Sequence, residues 1–330
     1  MRRLDHYWYS NNPLSVLLVP LSWLFCLVAV LRRIAYRTGL RKITRLPVPV
    51  IVVGNISVGG TGKTPLVAWL VEYLKQAGYA PAIVSRGYGG NAPRWPQQVN
   101  AGSDPALVGD EAVLLARRSG CPMAVAPNRV AAARKVLESA ACDIIISDDG
   151  LQHYALGRDI EIAVIDGARR FGNGYCLPAG PLREPQGRLN SVDLVVVNNG
   201  QAGQGQFSMR LRSGLIRNLC DESMMRQSAE FQGQVIHAVA GIGHPARFFD
   251  HLKSLGMTII EHAFPDHHPF VAQDIQFGDN APVIMTEKDA VKCRGFAGAQ
   301  HWYLPVDAEL DEDFGKQLLN LLALRKVKNG

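Results

Sequence analysis

The chain has 330 residues, 47% of them hydrophobic and 19% charged, which is enough for two domains or for one large domain with extensions. Its formal charge of +6 would suit a nucleic-acid binder, but residues 1–45 alone carry +7 (Arg2, Arg3, Arg32, Arg33, Arg37, Arg41, Lys42 and Arg45 against Asp5), so the remainder sums to −1. A body near neutrality has no electrostatic footprint for DNA or RNA. The six cysteines are scattered without a C-x-x-C pair, which excludes a zinc ribbon or disulfide framework and suits a reduced cytosolic body.

In chain order, the first predicted element is LSVLLVPLSWLFCLVAVL, residues 14–31, 18 residues without a charge. As a helix it would be about 27 Å long, just short of the ~30 Å hydrocarbon core of a bilayer. The basic residues that follow place the rest of the chain in the cytoplasm by the positive-inside rule. Tyr7, Trp8, Tyr9 and Tyr36 stand where interfacial aromatics belong. A cleaved signal peptide is disfavoured, because no small-residue cleavage site is present and a basic run follows. A buried core helix competes with a membrane segment that spans or half-inserts with a bend at Pro20.

Strand-like and helix-like segments then alternate. VPVIVVGN reads as a buried strand and KTPLVAWLVEYLKQAG as a helix with Gly78 near its C-cap. APAIVSRGYGG reads as a strand running into a glycine loop, GDEAVLLARRSG and NRVAAARKVLESA as helices, and CDIIISDDG, IEIAVIDG and VDLVVVNNG as strands. Continuous rather than alternating Val/Ile runs mark strands covered on both faces, as in a parallel sheet. The polar, glycine-rich stretch GQAGQGQ marks a seam, followed by a connecting strand FSMRLRSGLI, a strand–helix–strand unit from QVIHAVAG to TIIEHAF, and a last helix DFGKQLLNLLALRKV. The expected division is a membrane-associated segment 1–45, a P-loop core 46–205 and a smaller C-terminal α/β domain 206–330. The expected class is α/β, a P-loop NTPase-like parallel sheet core with that smaller domain and an N-terminal hydrophobic membrane helix.

The link between the first strand and the first core helix is S-V-G-G-T-G-K-T, one residue away from the usual G-x-x-x-x-G-K-[ST]. Delivered by a strand and followed by a helix, such a loop cradles phosphate with its backbone N–H groups and the helix N-terminus. Ser57, Val58, Gly59, Gly60, Thr61, Gly62, Lys63 and Thr64 are the nucleotide-binding candidates, Lys63 for the β/γ phosphates and Thr64 for Mg²⁺. Ser57 is acceptable in the first glycine's place if its backbone angles are ordinary. Asp148 and Asp149, at the tip of CDIIISDDG, sit where a Walker-B acid would meet the Mg²⁺ site, although adjacent acids also form turns. Asp110 and Glu111 open a predicted helix, where acids also act as simple N-terminal stabilisers. FPDHHPF offers Asp266, His267 and His268, with His262 nearby, but consecutive residues rarely face one metal ion. Arg86 in SRGYGG and Arg183 in PAGPLREP are candidates for anionic groups or for solvated surface, and His153 is a structural or site residue.

Taken in order, GNISVGGTGKTP, SRGYGG, VGDEAVLLA, DDGLQH, PAGPLREP, AGIGHPARFF, FPDHHPF and TEKDAVK behind a hydrophobic, basic N-terminus closely resemble the tetraacyldisaccharide 4'-kinases of lipid A biosynthesis, across essentially the whole chain. Members of that family look like N-x-S-x-G-G-T-G-K-T at the loop, so Ser57 is no departure. The resemblance implies transfer of the ATP γ-phosphate to the 4'-hydroxyl of tetraacyldisaccharide 1-phosphate, with Mg²⁺, at the cytoplasmic face of the bacterial inner membrane. It also implies that Asp110 with His267 acts as the base; because the two fall in different expected domains, domain closure would assemble it. Lys63 is the expected catalytic cation of the loop, and Arg86, Glu111 and Arg183 are candidate substrate contacts. A four-chain lipid leaves a bilayer only at about 0.8 kcal/mol per buried CH₂, so the enzyme is expected at the membrane surface. A GTPase-type switch is the main alternative, but it would need N-K-x-D, and VIMTEKDA has lysine in the third place instead of the second. A non-catalytic scaffold is hard to reconcile with intact Lys63, Thr64 and Asp148.

Overall fold

The computed structural model describes residues 7–10 and 12–329, with side chains of the last helix through Arg325. Arg2, Arg3 and Asp5 of the basic N-terminus lie outside the described residues. In chain order the elements are α1 (Pro13–Arg37), β1 (Val50–Gly54), α2 (Lys63–Gln76), β2 (Pro81–Ser85), β3 (Gln97–Val99), α3 (Pro105–Val108), α4 (Asp110–Ser119), β4 (Met123–Val125), α5 (Arg129–Ser139), β5 (Ile144–Ser147), β6 (Ile160–Asp166), β7 (Leu194–Asn198) and β8 (Phe207–Ser213). There follow β9 (Ile216–Asn218), β10 (Met225–Arg226), β11 (Val235–Ala240), α6 (Pro245–Ser254), β12 (Thr258–Ala263), β13 (Val283–Thr286), α7 (Glu287–Cys293), β14 (His301–Leu304), β15 (Val306–Leu310) and α8 (Glu312–Asn329).

Contacts divide the chain discontinuously, where the sequence reading divided it at 45 and 205. One unit comprises residues 1–86, 121–210 and 308–330, the other residues 87–120 and 211–307. Asp110 and His267 therefore belong to the same unit, and domain closure is not what brings them together.

In the first unit the strands lie in the order β8-β7-β6-β1-β5-β2-β4, and every pairing is parallel. All five residues of β1 and all four of β5 are buried, which is why their sequences are continuous aliphatic runs. Helix α2 covers the sheet with Leu66, Val67, Leu70, Val71 and Leu74, one stripe at helical spacing, each side chain contributing roughly 1.5–3 kcal/mol on burial. Gly78 follows the C-cap Ala77 in a left-handed conformation, as the sequence suggested.

Helix α1 is longer than the uncharged run, 25 residues, and continues through Pro20. Asn12 caps it by accepting from the Ser15 backbone N–H, and Pro13 occupies the first turn, where its missing N–H costs nothing. It is not a buried core helix. Its buried side is a narrow stripe of Ser15, Ser22 and Cys26, with Ser22 Oγ donating to the Cys176 carbonyl at 2.7 Å and Cys26 Sγ 2.8 Å from Cys176 Sγ. The opposite stripe, Leu17, Leu21, Leu24, Val28 and Leu31, is more than half exposed at every position.

The second unit has its own six-stranded sheet in the order β10-β9-β14-β13-β11-β12. The four strands β14, β13, β11 and β12 pair in parallel, and β9 and β10 add antiparallel pairings at one side. The period of two along β11 sends Ile236, Ala238 and Ala240 into a cluster with Phe249, Leu252 and Trp302, while Val239 joins Phe270, Ile275 and Met285 on the other face. The connections after β12 and β13 bring His267 and Lys292 of α7 to Asp110 at the start of α4, and Gly241 after β11 bonds to α7 through Asp289.

Candidate active site

The phosphate-loop sequence leaves β1 at Gly54 and enters α2 at Lys63. Its left-handed residues are Gly59, with φ of 105°, and Gly62, with φ of 92°; Ser57 is not among the positive-φ residues. The condition placed on Ser57 is met, because the chain needs glycine two positions later than the consensus does. A Cβ on Gly62 would sit 2.5 Å from the Asn198 amide nitrogen, which itself donates to the Thr61 carbonyl at 3.0 Å. A Gly62→Ala substitution combines left-handed strain with that overlap. It is expected to cost about 1–3 kcal/mol in stability and to weaken nucleotide binding, measured by thermal unfolding and ATP titration.

The loop is held from behind by the 181–183 segment. Val58 donates to the Pro181 carbonyl at 2.8 Å and the Arg183 backbone N–H to the Ile56 carbonyl at 2.6 Å. Arg169, paired with Asp166, also donates to the Gly60 carbonyl. Val58 and Thr61 belong to this scaffold, and nothing lies within 4 Å of the Cβ position of Gly60. Both side-chain amide atoms of Asn55 and the hydroxyl of Thr61 are buried along the loop without a hydrogen-bond partner among the described residues.

At the tip of β5, Asp148 is 2% exposed and accepts from Ser85 Oγ at 3.3 Å. Asp149 adopts a left-handed backbone, φ of 46°, and its carboxylate meets Lys63 Nζ at 3.5 Å and Arg183 at 3.1 Å. Burial alone would push the Asp149 carboxyl up, but Lys63, then Arg183 and Arg129, outweigh it and hold it at about 2. Arg183, a candidate substrate contact, is thus engaged with the acid at the end of β5. Arg129 was not singled out from sequence. It opens α5, is 3% exposed, and donates to the Asp149 carbonyl at 3.1 Å. His153 Nε2 accepts from the Arg129 backbone N–H at 3.3 Å, and burial followed by the charges of Arg129 and Arg158 depresses it to about 4. That histidine is a neutral structural acceptor. Arg86 is exposed just past β2.

In the second unit, Gly109 precedes α4 with φ of 94°, and a Cβ there would lie 2.4 Å from the Tyr88 carbonyl. This close approach sets Asp110 as the first residue of the helix, 4% exposed. Its Oδ1 accepts from the Glu111 backbone N–H at 2.8 Å and its Oδ2 faces His267 Nδ1 at 3.0 Å. His267 has φ of 59°, and its ring lies 5.0 Å from that of Tyr88. Non-glycine residues in this region are uncommon and concentrate at functional sites; Asp149 and His267 are two of four in the described chain. Burial raises the Asp110 carboxyl, but the His267 hydrogen bond and the Lys288 charge carry it below the usual range. The hydrogen bond to Asp110 raises His267, against burial and Lys288.

Two lysines missed by the sequence reading complete this cluster. Lys288 contacts Glu111 at 3.0 Å, Asp266 at 3.3 Å and His267 Nε2 at 3.4 Å. Lys292 lies between Asp289, at 2.8 Å, and Asp110, at 3.8 Å. Glu111 is accordingly an anchor for Lys288. His268 turns away to Asp274 at 2.9 Å between Phe264 and Phe270, and His262 pairs with His237 at 2.9 Å.

The profile of the family described as tetraacyldisaccharide-1-P 4'-kinase matches residues 14–323. The chain belongs to that family. A relative named tetraacyldisaccharide 4'-kinase from Nitrosococcus oceani is 56% identical over 316 residues, covering 96% of this chain and 93% of the relative. One of the same name from Aeromonas hydrophila is 52% identical, covering 97% and 96%. Among solved structures, the "apo" form of LpxK from Aquifex aeolicus in complex with ATP is similar with a TM-score of 0.81 at 27% identity, covering 94% of this chain and 99% of that one. The whole-chain coverage assigns the 4'-kinase fold to both units, the α/β sheets and the apolar helix alike.

Proposed function

We propose that this 4'-kinase binds ATP on the loop 57–64 and transfers its γ-phosphate to the 4'-hydroxyl of tetraacyldisaccharide 1-phosphate at the cytoplasmic face of the inner membrane. The observation that carries the reading is the pairing, in one chain, of a phosphate-cradling loop with a separate buried carboxylate–imidazole pair. A nucleotide switch that releases phosphate to water has no need of the second.

Phosphoryl transfer asks the protein chiefly for alignment, charge neutralisation and a place for the hydroxyl proton. The backbone N–H groups of residues 59–64 and the α2 N-terminus receive phosphate oxygens, and Lys63 exchanges its contact with Asp149 for the β/γ phosphates. The buried, unpartnered atoms of Asn55 and Thr61 fit a loop completed by ligand. Thr64, Asp148 and Asp149 are a hard-oxygen donor set that would hold Mg²⁺, which when bound neutralises phosphate charge. Asp110 takes the acceptor's proton, and His267 aligns its carboxylate. Arg86, exposed just past β2, is a candidate cation for an anionic headgroup.

The apolar stripe of α1 completes the reading. A helix that rests one polar stripe on its own body and bares the opposite one suits insertion to part of the bilayer's depth, where the acyl chains of the acceptor are found. Changing Leu17, Leu24 and Val28 together to Glu leaves the docked stripe intact. It is expected to move the protein from the membrane pellet to the soluble fraction, measured by ultracentrifugation; unchanged sedimentation with the membrane would place the anchor elsewhere.

The activity is tested with detergent-solubilised protein and γ-labelled ATP, with and without tetraacyldisaccharide 1-phosphate. Label in a chloroform-soluble product only when acceptor is present supports the kinase reading. Label appearing only as inorganic phosphate, indifferent to acceptor, overturns it in favour of an NTPase.

A further inference from the structure

The segment Thr286–Lys292 lies outside both the nucleotide loop and the carboxylate–imidazole pair, yet it is built with care. Thr286 caps α7 and donates its hydroxyl to Asp289 Oδ2 at 2.6 Å, and the Gly241 backbone N–H donates to the same oxygen at 2.8 Å. Asp289 is fully buried. These bonds fasten α7 to the end of β11 and fix where its lysines point.

Lys288 carries three N–H donors and no acceptor. Three acceptors surround it within hydrogen-bond distance: Glu111 Oε1, Asp266 Oδ1 and His267 Nε2. A cation that donates to Nε2 requires that nitrogen to be unprotonated. The imidazole proton is then on Nδ1, which faces Asp110 Oδ2.

We infer that Lys288 is the positioning residue of the acceptor-side base, holding neutral His267 in the tautomer that donates from Nδ1 to Asp110 and opposing proton uptake by the pair. This rests on the base reading of Asp110. The charged and titratable groups facing the pair are Asp110 and Glu111 from α4, Asp266 from its own loop, Lys288, Asp289 and Lys292 from α7, and Tyr88 beside the ring. Lys288 is the cation among them within 3.5 Å of the imidazole. Its own proton is secure, because burial works against its charge but Glu111, Asp110 and Asp266 more than offset that and raise it above the ordinary lysine range. Lys292, wedged between Asp289 and Asp110, backs the carboxylate from the other side.

The consequence is read in the pH profile. Asp110 and His267 titrate as a coupled pair, so the acid limb of kcat/KM belongs to both. Removing a neighbouring positive charge makes protonation of either member easier. Lys288→Met is therefore expected to move the acid limb upward by roughly one pH unit or more, while Lys288→Arg, which keeps the charge, returns it toward the wild-type position. ATP affinity and circular dichroism confirm that each variant is folded. A Lys288→Met profile that falls in height with its acid limb unmoved would reduce Lys288 to a structural role and overturn the inference.

A second measurement needs no change at Lys288. In ¹⁵N-histidine-labelled enzyme, with the His267 signals assigned through His267→Gln, the neutral form is expected to show a protonated Nδ1 and a bare Nε2. The opposite tautomer overturns the inference. The underlying reading has its own control, Asp110→Asn. Near-wild-type turnover in that variant would sink the base assignment itself, whereas a dead Asp110→Asn with an unmoved Lys288→Met limb sinks only the role of Lys288.

Discussion

Replacing Lys63 by alanine is expected to lower kcat/KM for ATP by about 10²–10³-fold while leaving the protein folded, because a preorganised charge aimed at transferring phosphate is typically worth that much in rate. The fold survives because the loop is held by other means. Its backbone is bonded to Pro181 and Ile56–Arg183, and Asn198 ties down Thr61. Asp149 keeps its second partner, Arg183, at 3.1 Å. Lys63 also has a role in stability, with its own pH dependence. The depressed Asp149 contributes stability that is full above the unfolded carboxylate value of about 3.9 and is lost as pH falls toward about 2. Lys63→Ala takes away the larger of its cationic partners, so the variant's loss of stability is full above that range and shrinks as pH falls through it, and its loss of turnover is read separately by kinetics. Steady-state kinetics and thermal melts across pH measure both. Turnover close to wild type at pH 7–8 would remove Lys63 from the reaction.

The sheet of the first unit was legible because its strands are buried on both faces, so β1, β5, β6 and β7, four to seven residues long, are each written around an aliphatic run. β4, β9 and β10 have three, three and two residues, too short for any periodicity to register. The loop was legible from its glycines, and the substituted Ser57 is explained by where left-handed backbone is needed. What composition does not reveal is the path of the chain: residues 87–120 leave the first unit for the second, so Asp110 meets a histidine 157 positions away. Their pairing came from a family resemblance and their arrangement from the fold. For Arg183 the sequence leaves an anionic contact and solvated surface open, because a basic residue in a Pro/Gly-rich loop carries no address; the fold sets it against the carboxylate at the neighbouring strand tip. Lys288 escaped for a similar reason. A lysine on an acidic helix start looks like a solvated charge until Glu111 and Asp266 are seen to close on it.

Asp110→Asn is expected to lower kcat by roughly 10²–10⁴-fold with ATP affinity little changed. The asparagine keeps the shape and can still accept from the Glu111 backbone N–H, so the first turn of α4 is undisturbed. What it loses is the negative charge. That charge is costly to maintain in a residue 4% exposed, and it persists because His267 donates to it and Lys288 and Lys292 lie close by. A site that only stabilised a helix start would not gather two lysines and an imidazole around one carboxylate. The same surroundings predict a sign for stability. Depressed Asp110 contributes stability above the unfolded carboxylate value that is lost as pH falls through its folded value. Raised His267 contributes stability below about 6.5 that is lost as pH rises through its folded value. The pair therefore stabilises the fold most in the mildly acidic window between those values, and Asp110→Asn should flatten the pH dependence of unfolding at both edges of that window while lowering turnover at every pH. Loss of ATP affinity with intact kcat would instead make Asp110 part of nucleotide binding, and the proton would need another acceptor.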